Sequence, residues 1–158
     1  MKDNLEKHFT ASALILNDEN KVLLLFHKKL NVWLYPGGHI ENNETPDMAV
    51  KREVLEETGL EVEIIENIDN SLTDKEADVT ALYNPYVVLC EYINGKLPHY
   101  HIDLIYRCKI IQNKKLEYNK EESKGIGFFG KDEIQNIPLF PNFKILLNKF
   151  FTEQIQNK

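Results

Sequence analysis

The residues best suited to chemistry in this sequence are three glutamates on one predicted helix. Glu53, Glu56 and Glu57 lie at positions i, i+3 and i+4, so their carboxylates meet on one helix face. Three negative charges held together are costly unless a cation lies among them. Ligands made only of oxygen favour a hard cation, Mg²⁺ first and Mn²⁺ second. Taken alone, the same residues also fit a solvated acidic face that binds nothing.

The residues that surround these glutamates favour a metal site over a solvated face. Pro36-Gly37-Gly38 predicts a tight turn before the helix, with unusual dihedral angles and free backbone carbonyls. Arg52 stands beside the carboxylates and can orient one of them through a charge-assisted hydrogen bond. Glu44 stands at the entrance to the helix, where it can brace the loop. The pattern therefore predicts a loop and a helix that enclose a cation.

The segment from Gly38 to Leu60, GHIENNETPDMAVKREVLEETGL, resembles the Nudix box of the Nudix (MutT-like) hydrolases. The glycine, glutamate, Arg-Glu, Glu-Glu and glycine residues all occur at the spacing of that motif. The resemblance implies a Nudix-type α/β/α sandwich, an α/β (α+β) fold with a mixed β-sheet between helices, formed by residues 1–158 as a single domain. Within the box, it implies structural roles for Gly38, Glu44 and Gly59.

Resemblance to this family also implies an activity, the hydrolysis of a nucleoside diphosphate linked to another group. A bound metal ion neutralises the pyrophosphate and activates the attacking water, and a carboxylate takes the proton of that water. We expect Glu53 or Glu56 to be this base. Some family members use a glutamate from a distant loop, and Glu121 and Glu122 are the candidates here. The site implied by the resemblance has Arg52 as the orienting residue and Gly37 (through its carbonyl), Glu53, Glu56 and Glu57 as metal ligands.

Two other classes of function have less support. A nucleotide-binding regulator that kept the fold but lost turnover would favour a degenerate box, and this box is intact. A nucleic-acid processor usually carries a basic surface, whereas this 158-residue chain has a formal net charge of −6. We therefore expect a small nucleotide-type substrate and no nucleic acid, and we allow for a homodimer.

Composition and hydropathy are typical of a globular protein of the cytoplasm. Hydrophobic residues make up 42% of the chain, which is enough for a single core. Apolar runs such as Val22–Phe26 are far too short to cross a bilayer, so we expect no membrane contact. The charged N-terminus does not resemble a signal peptide. Cys90 and Cys108 stand singly, as buried thiols in a reducing compartment do.

Three residues near the glycine turn are candidates for substrate binding. Trp33 and Tyr35 immediately precede the turn, and an aromatic ring there could stack on a base or belong to the core. His39 follows Gly38, where it could contact a phosphate or be an ordinary loop histidine.

A predicted strand near residues 99–111 carries a second polar group. His99, His101 and Asp103 alternate with apolar residues, so their side chains project from the same strand face. Three interpretations stay open: a solvent-exposed face, a wall of the substrate pocket, or a zinc site. The resemblance favours the substrate wall slightly.

The remaining pattern predicts the elements that position these residues. Thr45 as N-cap, Pro46 in the first turn and Gly59 as the left-handed stop bound the acidic helix. The residues 69–80 are predicted to form a loop. The predicted strands are 10–16, 21–27, 31–34, 61–65, 82–92, 100–111 and 125–129. A terminal helix is predicted at 141–151, with Ile145, Leu146 and Phe150 as its buried face.

Overall fold

An eight-stranded mixed β-sheet lies at the centre of the molecule, with one long α-helix packed against each face. The structure is a computed structural model that describes residues 4–112 and 115–156. The strands are β1 (Lys7–Leu16), β2 (Val22–His27), β3 (Val32–Leu34), β4 (Gly37–His39), β5 (Val62–Ile64), β6 (Val87–Ile93), β7 (His99–Ile110) and β8 (Ser123–Phe129). The helices are α1 (Pro46–Thr58) and α2 (Pro141–Gln156), with short 3₁₀ turns at Asn70–Leu72 and Glu133–Gln135. The predicted mixed sheet between helices is confirmed.

The parallel pair formed by β1 and β7 is the axis of the sheet. It runs in register from Lys7 opposite Tyr100 to Leu16 opposite Lys109. The main strand order is β3-β2-β1-β7-β5, while β4 pairs with β1, β6 with β7 and β8 with β2, all antiparallel. Both central strands are covered on two faces, as parallel strands usually are.

Alternate residues of the central strands point to two separate apolar cores. On the α1 face, Ala11, Ala13 and Ile15 pack with Val50 and Val54. On the α2 face, the buried residues are Leu14, Val22, Leu24, Ile105, Phe143, Leu147 and Phe150. Burial on both sides explains why β1 has six consecutive buried residues.

The predicted boundaries of α1 are confirmed. Thr45 holds the N-cap position with an extended backbone, and Pro46 begins the helix. The Thr45 hydroxyl donates to the Asp47 carboxylate at 2.5 Å and makes no side-chain cap bond to the helix backbone. Gly59 has a φ of 72° in the left-handed region, and its N–H donates to the Leu55 carbonyl. Glycine adopts this conformation without the strain that a side chain would cause, so Gly59 ends the helix at the position that the sequence predicts.

Several predictions about the elements and about burial are wrong in detail. Cys90 is exposed, whereas Cys108 is buried as expected. The predicted turn does not extend over residues 36–38: only Pro36 forms a bend, and Gly37 to His39 form β4, which pairs with β1. Strand β6 begins at Val87 and not at Leu82. Ile145 is 71% exposed, and Phe143 and Leu147 take its predicted place in the core. None of the helices among the described residues is long and apolar enough to span a membrane.

Candidate active site

The guanidinium of Arg52 connects the acidic helix to the loop before it. Its Nε donates to Glu44 Oε2 at 3.0 Å and its Nη2 to Glu44 Oε1 at 2.6 Å. Its Nη1 donates to Glu53 Oε1 at 2.8 Å and to Glu56 Oε2 at 3.2 Å. Its Nη2 also reaches the carbonyl of His39 at 3.1 Å. One planar fork thus fixes carboxylates from both the loop and the helix.

Glu57 is the most buried of the three helix glutamates. Its Oε2 accepts the backbone N–H of Gly37 at 2.8 Å. Burial, together with the charges of Glu53, Glu122 and Glu56, raises the pKa of Glu57 to about 7. Burial also raises the pKa of Glu53, although Arg52 opposes this shift. The negative charges are therefore crowded, as expected for a group of carboxylates arranged to share a cation.

The glycine at position 38 lets strand β4 and helix α1 approach each other. A Cβ atom placed on Gly38 would lie 2.5 Å from the carboxyl carbon and Oε1 of Glu53. At Gly37, an added Cβ would lie 2.6 Å from the carbonyl oxygen of Ala11 and would also meet Ser12 Oγ. The close approach keeps the Glu53 carboxylate beside the β4 backbone.

The donor set of this acidic cluster fits a hard divalent cation. The three helix glutamates supply only oxygen atoms, which suit Mg²⁺ or Mn²⁺ and not soft metals. All three carboxylates accept a hydrogen bond: Glu53 and Glu56 from Arg52, and Glu57 from the Gly37 N–H. Glu56 stays the most accessible, with 59% of its side chain exposed against 16% for Glu53.

Asp103 lies in a buried hydrogen-bond network and not on an exposed strand face. Its side chain is 2% exposed and accepts hydroxyl hydrogen bonds from Thr10 at 2.9 Å, Ser12 at 2.9 Å and Tyr35 at 2.8 Å. Burial raises the pKa of Asp103, against the effect of the three donors. The solvent-face interpretation is therefore wrong for Asp103. Tyr35 also packs edge-on against Phe143, at a ring distance of 4.8 Å.

His101 belongs to a group of histidines. Its Nε2 lies 3.0 Å from His99 Nε2, and its ring lies 4.8 Å from that of His39. Burial and the neighbouring histidines lower the pKa of His101 to about 4, so this ring is neutral near pH 7. His8, which the sequence pattern does not single out, completes the group. It meets His101 only through the parallel register of β1 and β7, for which the sequence carries no local signal.

The other predicted substrate residues lie in different surroundings. Trp33 packs edge-on between Phe26 and Phe129, at ring distances of 5.2 and 4.6 Å, which favours the core interpretation. Glu122 is exposed, and its charge raises the pKa of Glu53 and Glu57, so it lies near the acidic helix. Glu121 is exposed as well, and its N–H donates to Asn119 Oδ1 at 2.9 Å.

The structure is a mixed α/β sandwich with a cluster of three glutamates in the C-terminal half of its first helix. The model of the NUDIX domain matches residues 6–144, so the chain belongs to the Nudix family. A NUDIX-family hydrolase from Clostridium perfringens has a similar crystal structure, with 30% identity and a TM-score of 0.80 over 95% of this chain and 99% of that one.

Curated relatives include two whose names state a substrate. An RNA pyrophosphohydrolase from Zymomonas mobilis is 37% identical over 51% of this chain and 56% of its own length. An 8-oxo-dGTP diphosphatase from Proteus vulgaris is 33% identical over 39% of this chain and 58% of its own length. For three other curated relatives, the match spans about a third of their length.

Proposed function

We propose that this protein hydrolyses the pyrophosphate bond of a nucleoside diphosphate linked to another group, with Mg²⁺ as its cofactor. The observation that carries the proposal is the convergence of Glu53, Glu56 and Glu57 on one helix face, with Arg52 bonded to two of them. Family membership supports the same reaction class.

Each residue of the acidic cluster has a distinct role in this proposal. Glu53, Glu56 and Glu57 would hold the ion, with the Gly37 carbonyl as a further ligand. When bound, Mg²⁺ supplies charge neutralisation and water activation. Arg52 orients the carboxylates of Glu53 and Glu56, and Glu44 anchors Arg52 from the opposite side through two hydrogen bonds.

We place the general base at Glu56. Its carboxylate is the most accessible of the three, so a water molecule can reach it from solvent. Glu53 is the alternative on the helix, and Glu122 is the alternative from the loop before β8, because its charge is felt by Glu53 and Glu57. A carboxylate in this position accepts the proton of the attacking water.

The predicted substrate contacts divide into exposed and buried groups. His39 and Glu122 have exposed side chains near the acidic cluster, so we retain them as direct contacts. The hydroxyl of Tyr35 and the carboxylate of Asp103 bond to each other, and we assign them to the support of the sheet. His101 and Trp33 lie against other rings, so their roles toward substrate would be indirect.

The net charge favours a small nucleotide over a nucleic acid. A chain with a formal charge of −6 repels a polyanion, and many phosphate contacts would need a basic surface. The relative named an RNA pyrophosphohydrolase makes RNA bearing a 5′-triphosphate the second candidate. The substrate panel therefore needs both classes.

The test is product release from a panel of nucleotides in the presence of Mg²⁺. The panel contains nucleoside triphosphates, 8-oxo-dGTP, nucleotide sugars, dinucleotide polyphosphates, ADP-ribose and RNA with a 5′-triphosphate. We expect Glu56→Gln and Glu57→Gln to lower kcat on the preferred substrate at least about a hundredfold, because each removes a charge from the site.

The matched control is Glu63→Gln on β5, since Glu63 is an exposed glutamate that pairs with Lys109 at 3.1 Å. This variant should keep wild-type turnover. Tight nucleotide binding without any product would support the alternative function, a nucleotide-binding regulator that has the fold but no turnover. Near-normal turnover in both helix variants would remove these residues from the site.

A further inference from the structure

Four of the five histidines of this chain lie together on strands β1, β4 and β7. His8, His39, His99 and His101 form this histidine cluster, and one ring nitrogen from each lies within 4.8 Å of the others. None of these rings is a ligand of the Mg²⁺ ion proposed above. The donors of the cluster are all imidazole nitrogens, which suit Zn²⁺ and its neighbours and not Mg²⁺.

The strand register brings these side chains to one face of the sheet. His8 on β1 lies directly opposite His101 on β7, and His99 precedes His101 by two residues on the same face. His39 on β4 lies opposite Thr10, which shares its face with His8. Three strands therefore supply the rings, and strands hold ligands more rigidly than loops do.

Two distances in the cluster match the geometry of a tetrahedral site. A zinc–nitrogen bond of about 2.0–2.1 Å places the nitrogens of a tetrahedron about 3.3–3.4 Å apart. His39 Nε2 lies 3.3 Å from His8 Nδ1, and His99 Nε2 lies 3.0 Å from His101 Nε2. The remaining pairs lie within 4.8 Å. Small rotations of the exposed His39 ring can shorten the longer separations.

In His8 and His99, the hydrogen bond made by the outer ring nitrogen determines which nitrogen carries the proton and which presents its lone pair to the centre of the cluster. His8 Nε2 lies 3.2 Å from the Glu6 carboxylate, and His99 Nδ1 lies 2.8 Å from the Leu97 carbonyl. Both partners only accept hydrogen bonds, so each outer nitrogen carries the proton. His8 Nδ1 and His99 Nε2 then present lone pairs to the centre. Histidine ligands of metals are typically held by such an outer carboxylate or carbonyl.

We propose that the histidine cluster binds one Zn²⁺ ion through four imidazole nitrogens, at a site separate from the acidic cluster. The two sites differ in donor chemistry, nitrogen against oxygen, so each selects a different metal. The cluster also borders an open cleft of about 550 Å³ lined by His8, His39 and Asn42, through which an ion can enter. The carbonyl of His39 is bonded to Arg52, so the two sites share one backbone segment.

The test is zinc titration of untagged, metal-stripped protein by calorimetry, with saturating Mg²⁺ present to occupy the acidic cluster. We expect one Zn²⁺ per chain and a rise in Tm with zinc concentration, because the ion binds only the folded state. The same protein loaded with Co²⁺ should show the strong visible absorption of tetrahedral cobalt.

Matched variants locate the bound ion. His8→Gln and His101→Gln should each weaken zinc binding at least about tenfold, and the double variant should abolish it. His27→Gln, which alters the fifth histidine on β2, should bind zinc as the wild type does. Glu56→Gln should also bind zinc normally. An absence of zinc binding, or equal binding by the wild type and the folded double variant, would overturn the proposal.

Discussion

Arg52 and Arg107 use the same fork of N–H donors in different surroundings. Arg107 on β7 donates from Nε and Nη2 to Glu66 at 2.7 and 2.9 Å, and its guanidinium lies over the Tyr86 ring. Arg52 binds Glu44 in the same two-bond manner but also reaches Glu53 and Glu56. Comparing substitutions of Arg52 and Arg107 therefore distinguishes the loss of any two-bond ion pair from the loss of the contacts to Glu53 and Glu56.

We expect Arg52→Lys to lower kcat at least about tenfold, since an ammonium group cannot make the same set of planar bonds. Arg107→Lys, the matched control, should leave kcat within about twofold. Steady-state kinetics of Arg52→Lys, Glu53→Gln and the double variant should be strongly non-additive, because the two side chains are bonded. Additive losses would mean that Arg52 and Glu53 act independently.

We expect Asp103 to contribute to the stability of the fold more than to substrate binding. Asp103→Ala leaves the hydroxyls of Thr10, Ser12 and Tyr35 without their buried acceptor, so the free energy of unfolding should fall by about 3 kcal/mol. Asp103→Asn keeps one acceptor oxygen and should cost less. The exposed Asp18→Ala control should change stability by less than about 0.5 kcal/mol.

Urea denaturation measures these differences. A folded Asp103→Ala protein with unchanged stability but altered kcat/KM would instead support the substrate wall predicted from the sequence.

At the scale of the elements, the acidic helix was the most predictable part of the molecule. Its caps are local signals: Thr45 and Pro46 start it and Gly59 ends it, as the structure confirms. The pairing of β1 with β7 was not predictable, because these strands are far apart in sequence and their parallel register leaves no local signal. That register decides the burial of Asp103 and the placement of His8 beside His101.

Strand β4 was misjudged for a related reason. Proline followed by two glycines is typical of a turn, but here the missing side chains allow the backbone to lie against Ser12 and Glu53. The sequence therefore indicates that glycine is needed at these two positions, but it does not show which neighbouring residues leave no room for a side chain. The terminal helix shows the same limit, since Ile145 and Leu147 are equally apolar and only packing on the sheet decides which is buried.

The glycines provide a prediction at this scale. Gly38→Ala should displace the Glu53 carboxylate and lower kcat about tenfold or more, while the fold persists because the nearest atoms belong to a side chain. Gly95→Ala is the matched control, since nothing lies within 4 Å of an added Cβ there. Kinetics and circular dichroism of both variants check this. Full activity of Gly38→Ala would show that Glu53 does not need its present position.

At the scale of the whole molecule, the protein and its proposed substrate both carry negative charge. The formal charge of −6 and the crowded carboxylates both repel a pyrophosphate in the absence of a cation. A divalent ion at the acidic helix reverses the local field. We therefore expect Mg²⁺ to be necessary for substrate binding as well as for turnover.

The most direct test is the rate of product formation as a function of Mg²⁺ concentration, measured on chelator-treated wild type and Glu57→Gln with the preferred substrate of the panel. We expect no product without a divalent cation and a saturable rise in rate with Mg²⁺. Glu57→Gln should require a higher Mg²⁺ concentration, because one ligand charge is lost. Turnover without any divalent cation, or an identical Mg²⁺ dependence in the two proteins, would show that the acidic helix does not bind the catalytic ion.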